Sequence, residues 1–80
     1  MDETGDRIDR ILSTLNAADV GSLESIADKM LHVEGELLAL GREALAGRAR
    51  EAVAALRRGE VAEFQRTRAF LQSKVGHLRP

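Results

Sequence analysis

The chain has 80 residues, with 12 basic and 13 acidic side chains and a formal net charge of −1. This length allows one small helical domain over residues 1–80, whose single core gives limited stability and is often supplemented by a partner subunit. The absence of cysteine excludes disulfides and thiolate metal sites. Charged residues interrupt the apolar runs well before the roughly 20 residues that span a bilayer, and the acidic N-terminus lacks the basic start of a signal peptide. We therefore expect a soluble cytoplasmic protein without membrane contact.

The first helix is predicted from about residue 4 to residue 15 of an all-α fold. Ala, Leu, Glu and Arg, which all favour helices, dominate the composition, and β-branched residues are sparse. One face of this helix carries apolar residues at i, i+3, i+4 and i+7: Ile8, Ile11, Leu12 and Leu15. Residues 16–21 are rich in turn formers, and Ser22 can cap the next helix.

A long second helix is predicted from about residue 22 to residue 58. Two adjoining apolar lines follow it, one through Leu23, Ile26, Met30, Val33, Leu37 and Leu40, and one through Leu31, Leu38, Leu45, Ala49, Ala52 and Leu56. Together they cover about half the circumference, which predicts contact with two neighbouring helices. Glycines at 35, 41 and 47 each cost about 1 kcal/mol relative to alanine. Because the apolar register passes through them, we expect one helix, with a bend allowed at Gly41.

The third helix is predicted from about residue 60 to residue 77. Arg57 and Arg58 complement the negative end of the preceding helix, Gly59 suits the left-handed residue just past it, and Glu60 suits the next N-terminus. Its apolar face holds Val61, Phe64, Leu71, Val75 and Leu78. We thus predict a three-helix domain dominated by an antiparallel hairpin of the long helix and the third helix, with a short N-terminal helix.

The two halves of the chain carry opposite charge. Residues 1–40 hold nine acidic and three basic side chains, whereas residues 41–80 hold four acidic and nine basic ones. Opposite fields attract, so this division favours antiparallel contact between the halves, within one chain or between two copies.

The function predicted from these surfaces is non-catalytic protein interaction, as an adaptor or a chaperone-like holder of a helical partner, or by self-association into a homodimer. Leu31, Leu38 and Leu45 lie seven residues apart, the repeat of a coiled-coil seam. Phe70 projects away from the apolar face of the third helix, so either the first helix covers it or it is exposed and marks a contact surface. We predict these four residues as the partner-binding set.

Other classes of function have weaker support in the sequence. A nucleic-acid-associated regulator could use the basic half, but its residues scatter around the helical wheel: Arg42, Arg48, Arg50, Arg57, Arg58, Arg66, Arg68, Lys74 and Arg79. His32 shares a helix face with Asp28 and Glu36, although one helix supplies too few ligands for a metal centre. No nucleophile with a neighbouring base and no phosphate-binding loop occurs, so we expect no enzyme activity, metal or cofactor.

Overall fold

The computed structural model describes residues 3–78, and within this range it contains four helices. These are α1 (Glu3–Asn16), α2 (Leu23–Ala39), α3 (Glu43–Arg57) and α4 (Val61–Gly76). The all-α prediction is confirmed, and the bounds of the first and last helices agree with those expected. The predicted helix from residue 22 to residue 58 is wrong: it is two helices, so the domain has four helices rather than three.

The long helix ends at Gly41 because the backbone there is left-handed. Gly41 has φ +74°, and its N–H donates to the Leu38 carbonyl at 3.0 Å. The Arg42 N–H donates to the Leu37 carbonyl at 2.9 Å. These two bonds form a Schellman motif, which satisfies the last carbonyls of α2 and reverses the chain. Within three residues, a helix that was expected to continue becomes a hairpin of α2 and α3.

The same motif closes α3, as the sequence predicts. Gly59 has φ +78°, its N–H donates to the Leu56 carbonyl at 3.0 Å, and the Glu60 N–H donates to the Ala55 carbonyl at 2.9 Å. The prediction that Gly59 lies just past a helix C-terminus is therefore confirmed. Two glycine turns of one kind fold α2, α3 and α4 back on one another.

The four helices form a closed ring of contacts. α2 packs on α1 and α3, and α4 packs on α3 and α1, while no contact joins α2 to α4 within the described range. The bundle is elongated, with principal extents of 39, 23 and 18 Å. Helices joined by such short turns lie antiparallel to their neighbours. None of the described helices combines the length and the apolar character needed to cross a membrane.

The core combines mostly small side chains on α3 with large side chains on the other three helices. α3 buries four alanines, which let α2 and α4 approach closely. The largest fully buried side chains come from the other helices: Phe64, Ile8, Ile11, Leu15, Met30, Leu37, Leu71, Val33 and Val75. Val61 was expected on this core face but is 57% exposed, because it lies in the first turn of α4 beyond the end of the packed region.

Two cations hold the end of α1 and the following connection in place. Arg68 of α4 is only 14% exposed, and its Nε donates to the Leu15 carbonyl at 2.8 Å. Lys29 of α2 donates from Nζ to the carbonyls of Ala17 and Val20, both at 3.0 Å. Free carbonyls at a helix C-terminus carry partial negative charge, so these cations both satisfy and neutralise them.

Ion pairs between the oppositely charged halves are few and specific. Arg50 Nη2 lies 2.6 Å from Glu34 Oε2 and joins α3 to α2. Arg68 Nη2 lies 3.7 Å from Asp19 Oδ2, between α4 and the connection after α1. The two halves therefore lie alongside one another within a single chain. Asp2 and Arg79, which belong to the same charge pattern, lie outside the described residues.

Replacing Gly41 with Val should destabilise the fold by about 1–2 kcal/mol, because a β-branched residue resists the left-handed backbone. Gly59→Val should behave in the same way. Gly47 lies inside α3, where an added Cβ would meet nothing. Gly47→Ala should therefore stabilise the protein by about 0.5–1 kcal/mol. Urea denaturation measures all three changes, and an unchanged free energy of unfolding for Gly41→Val would contradict the turn.

Replacing Arg68 with Met should destabilise the protein by about 1.5–3 kcal/mol, because hydrogen bonds from a charged donor to the α1 carbonyls are lost while the stem is retained. Arg66→Met is the matched control, since Arg66 lies on the exposed face of α4 and pairs only with Glu63. That control should change stability by no more than about 0.5 kcal/mol. Equal effects of the two substitutions would show that Arg68 does not anchor α1.

Candidate protein-interaction surface

One line of α2 faces outward along its whole length. Its residues recur at alternating spacings of four and three, the repeat of a coiled-coil seam. All five are exposed, and we call them the outer seam of α2: Glu24, Asp28, Leu31, Gly35 and Leu38. Arg42 is also exposed, but it lies beyond the left-handed Gly41, where the chain reverses, and so it is not part of this line.

The two leucines of the outer seam are exposed because the core uses another face of α2. Ala27, Met30, Val33 and Leu37 are buried against the bundle. Leu31 and Leu38 lie to one side of that face, and 39% and 47% of their respective surfaces are exposed to solvent. No helix of the described range covers them. They form an apolar surface flanked by charge.

The four residues predicted to bind a partner lie on three different helices. Leu31 and Leu38 lie together on α2, whereas Leu45 belongs to α3 and packs partly buried against the core. Phe70 lies on α4 and is half-buried. Its ring is covered by the Arg48 guanidinium of α3 at 4.7 Å and by Lys74 Nζ at 5.6 Å. Two cations therefore contact a ring that was expected either to be covered by the first helix or to be exposed.

Three residues of the outer seam were not found from the sequence. Glu24, Asp28 and Gly35 share the four-three spacing of Leu31 and Leu38. That spacing is visible in the sequence, but a search for apolar residues passes over acids and a glycine. The seam becomes recognisable only when exposure is known.

The two acids of the outer seam, and the exposed Arg42 beyond the Gly41 turn, have no ion-pair partner among the described residues. The ion pairs of the described range do not involve Glu24, Asp28 or Arg42. By contrast, the neighbouring Glu34 and Glu36 are paired with Arg50 and Arg7 at 2.6 and 2.8 Å. Charge is thus left free along the same line that leaves its leucines uncovered.

His32 lies on the surface of α2 and contacts one carboxylate. Its side chain is 59% exposed, and Nε2 lies 3.8 Å from Glu36 Oε1, which belongs to the carboxylate that Arg7 already holds. Among residues 3–78, no group of three histidine or carboxylate side chains is placed to hold a metal ion. A shallow depression lies at the α3–α4 turn, beside Gly59 and Val61.

The basic half does not present a continuous cationic face in the described range. Arg48, Arg50, Arg58 and Arg66 each lie within 4 Å of a glutamate, and Arg68 points to the carbonyls of α1. Such pairing reduces the charge that is available to phosphates. Arg79 lies outside the described residues.

No protein-family model, no curated protein and no solved structure matches the chain.

The contact between Arg48 and Phe70 should couple α3 to α4 by about 0.5–1 kcal/mol, the range for an exposed cation over an aromatic ring. A double-mutant cycle of Arg48→Gln and Phe70→Leu, followed by thermal unfolding, measures this coupling and separates it from the loss of apolar area. Strict additivity of the two substitutions would show that the ring is merely adjacent to the cation.

Proposed function

We propose that this chain is a non-catalytic helical interaction module that binds a helix of another polypeptide along the outer seam of α2. The observation that supports this most directly is the pair of exposed leucines at seven-residue spacing on a rigid, well-packed helix. A helix with anchors at this spacing suits helix-on-helix recognition. Val61 is exposed singly at the start of α4, whereas the two leucines of the seam lie one heptad apart in the body of a helix.

The size of the apolar surface sets the kind of complex expected. Burying a leucine fully contributes about 1.5–3 kcal/mol, and these two are already half-covered. Association itself costs about 4–15 kcal/mol. Two leucines alone do not offset that cost, so the partner must also contact the acids at the N-terminal end of the seam. We therefore propose a helical partner that runs along the full length of α2, with an affinity that depends on salt.

A nucleic-acid function is the alternative that the sequence leaves open. It has less support, because the arginines that would contact phosphates are mostly engaged with glutamates and backbone carbonyls. The exposed leucines have no role in such a function. Protein interaction explains both the apolar and the charged parts of one surface.

Leu38→Glu should abolish binding and leave the bundle folded, because Leu38 is 47% exposed and the new carboxylate can remain in water. Val61→Glu is the matched control, since it introduces the same charge at a residue that is 57% exposed on α4, which does not contact α2. Circular dichroism should show two stable helical proteins. Unfolding of the Leu38→Glu variant would mean that Leu38 serves the core and not a partner.

A photo-crosslinking residue at position 38, with position 61 as the control, identifies the partner directly in cells. Mass spectrometry of the crosslinked product should give one defined polypeptide, whether another protein or a second copy, from position 38 only. The product should disappear when Leu31→Glu is added. The absence of any crosslinked polypeptide from position 38 would contradict the proposed function.

A further inference from the structure

We propose that the helix bound by the outer seam of α2 is cationic, with lysine or arginine side chains over Glu24 and Asp28 and apolar side chains over Leu31 and Leu38. This inference rests on the proposed function and adds the chemistry of the partner. The order of residues along the seam carries it, because the N-terminal end of the seam is acidic and the remainder is apolar.

The acids of α2 fall into two groups. Glu34 and Glu36 are paired with cations of α3 and α1 at 2.6 and 2.8 Å, and their side chains are only 15% and 16% exposed. Glu24 and Asp28 are exposed and take part in no ion pair of the described range. The fold therefore neutralises the acids beside its core and leaves the two acids of the outer seam uncompensated.

The cations that lie near these two acids serve other parts of the fold. Lys29 donates from Nζ to two carbonyls of the α1–α2 connection. Glu34 faces Arg50 across the antiparallel hairpin, so Arg57, seven residues after Arg50, lies near the level of residue 27. Arg57 occupies the last turn of α3, where a cation complements the negative helix end. It compensates at most one of the two acids, so this end of the seam remains negatively charged.

The helix terminus accounts for Glu24 but not for Asp28. Glu24 lies in the first turn of α2, where a carboxylate stabilises the positive helix end. Asp28 lies one turn further along, where this effect has faded, and aspartate is a weak helix former. The charge of Asp28 is therefore not used inside the bundle, although it lies on the same line as the two exposed leucines.

The spacing of the seam suits a lysine or arginine side chain in particular. Along the helix axis, Asp28 and Glu24 lie about 4.5 and 10.5 Å from Leu31, which is one to two turns. A long cationic side chain can cover a leucine with its apolar stem while its charge reaches a carboxylate one turn away. Attraction between the charges increases the rate of association, and the same acids repel an acidic helix.

Three synthetic helical peptides of about 20 residues test the charge of the partner. Each carries two leucines seven residues apart, flanked at both ends of the same face by lysines, glutamines or glutamates. Titration of each peptide into ¹⁵N-labelled protein, followed by NMR, measures even millimolar affinities. At low salt the lysine peptide should shift the amides of residues 28–38 and bind about tenfold more tightly than the glutamate peptide. This preference should shrink at high salt.

Asp28→Asn tests whether the acids of the seam cause the preference. It should reduce the ratio of the two affinities about threefold and leave the melting temperature unchanged, because the charge is exposed and unpaired. Asp6→Asn is the matched control, since it removes the same charge from an exposed position of α1. Arg57→Gln should act in the opposite direction and strengthen binding of the lysine peptide, because it removes the cation that partly compensates the acids.

Each outcome decides the inference. A preference for lysine that Asp28→Asn reduces and Asp6→Asn leaves intact supports it. Equal binding of the three peptides, or tighter binding of the glutamate peptide, overturns it, while helix binding by the seam still stands. If no peptide binds, the segment crosslinked at position 38 decides: lysine or arginine within two turns of the crosslink supports the inference, and their absence overturns it. If position 38 also crosslinks to nothing, the inference and the proposed function both fail.

Discussion

The left-handed backbone at Gly41 is the constraint on which the rest of the structure depends. With it, the Arg42 and Gly41 amides bond back to Leu37 and Leu38, and the chain reverses within three residues. Without it, residues 22–58 would form a helix about 55 Å long, with half its circumference apolar and only two other helices to cover it. The turn folds that surface against itself, so that α2 and α3 bury most of it between them.

The turn also determines which apolar residues remain exposed. Folding α3 onto α2 covers the line through Met30, Val33 and Leu37, but Leu31 and Leu38 lie to one side of it. The excess apolar surface expected for a long helix is thereby reduced to a narrow seam. A narrow apolar seam with one acidic end suits reversible helix-on-helix contact rather than an obligate interface, which is larger and more apolar. The turn at Gly41 therefore accounts both for the fold and for the surface on which the proposed function depends.

Much of this architecture can be predicted from the sequence, and the errors have a physical cause. Gly59 was identified because Arg57 and Arg58 precede it and Glu60 follows it. Gly41 has an equivalent acid in Glu43, but no arginines precede it, and its three-residue turn hardly interrupts the four-three spacing of the apolar residues. The spacing therefore suggested one helix. Periodicity places Leu31 and Leu38 on one line of α2, whereas the cation–ring contacts of Phe70 cannot be predicted from the sequence, because they depend on how α3 faces α4.

The most direct test of the turn is the distance between spin labels at positions 24 and 57, measured by pulsed electron paramagnetic resonance. Both residues are exposed, at the start of α2 and the end of α3, and the chain has no cysteine to interfere with labelling. Mixing the doubly labelled protein with excess unlabelled protein ensures that the measured distance joins two labels of the same chain. The hairpin predicts neighbouring helix axes about 8–10 Å apart, so the labels should lie close together. A distance near the roughly 50 Å of a continuous helix would contradict it.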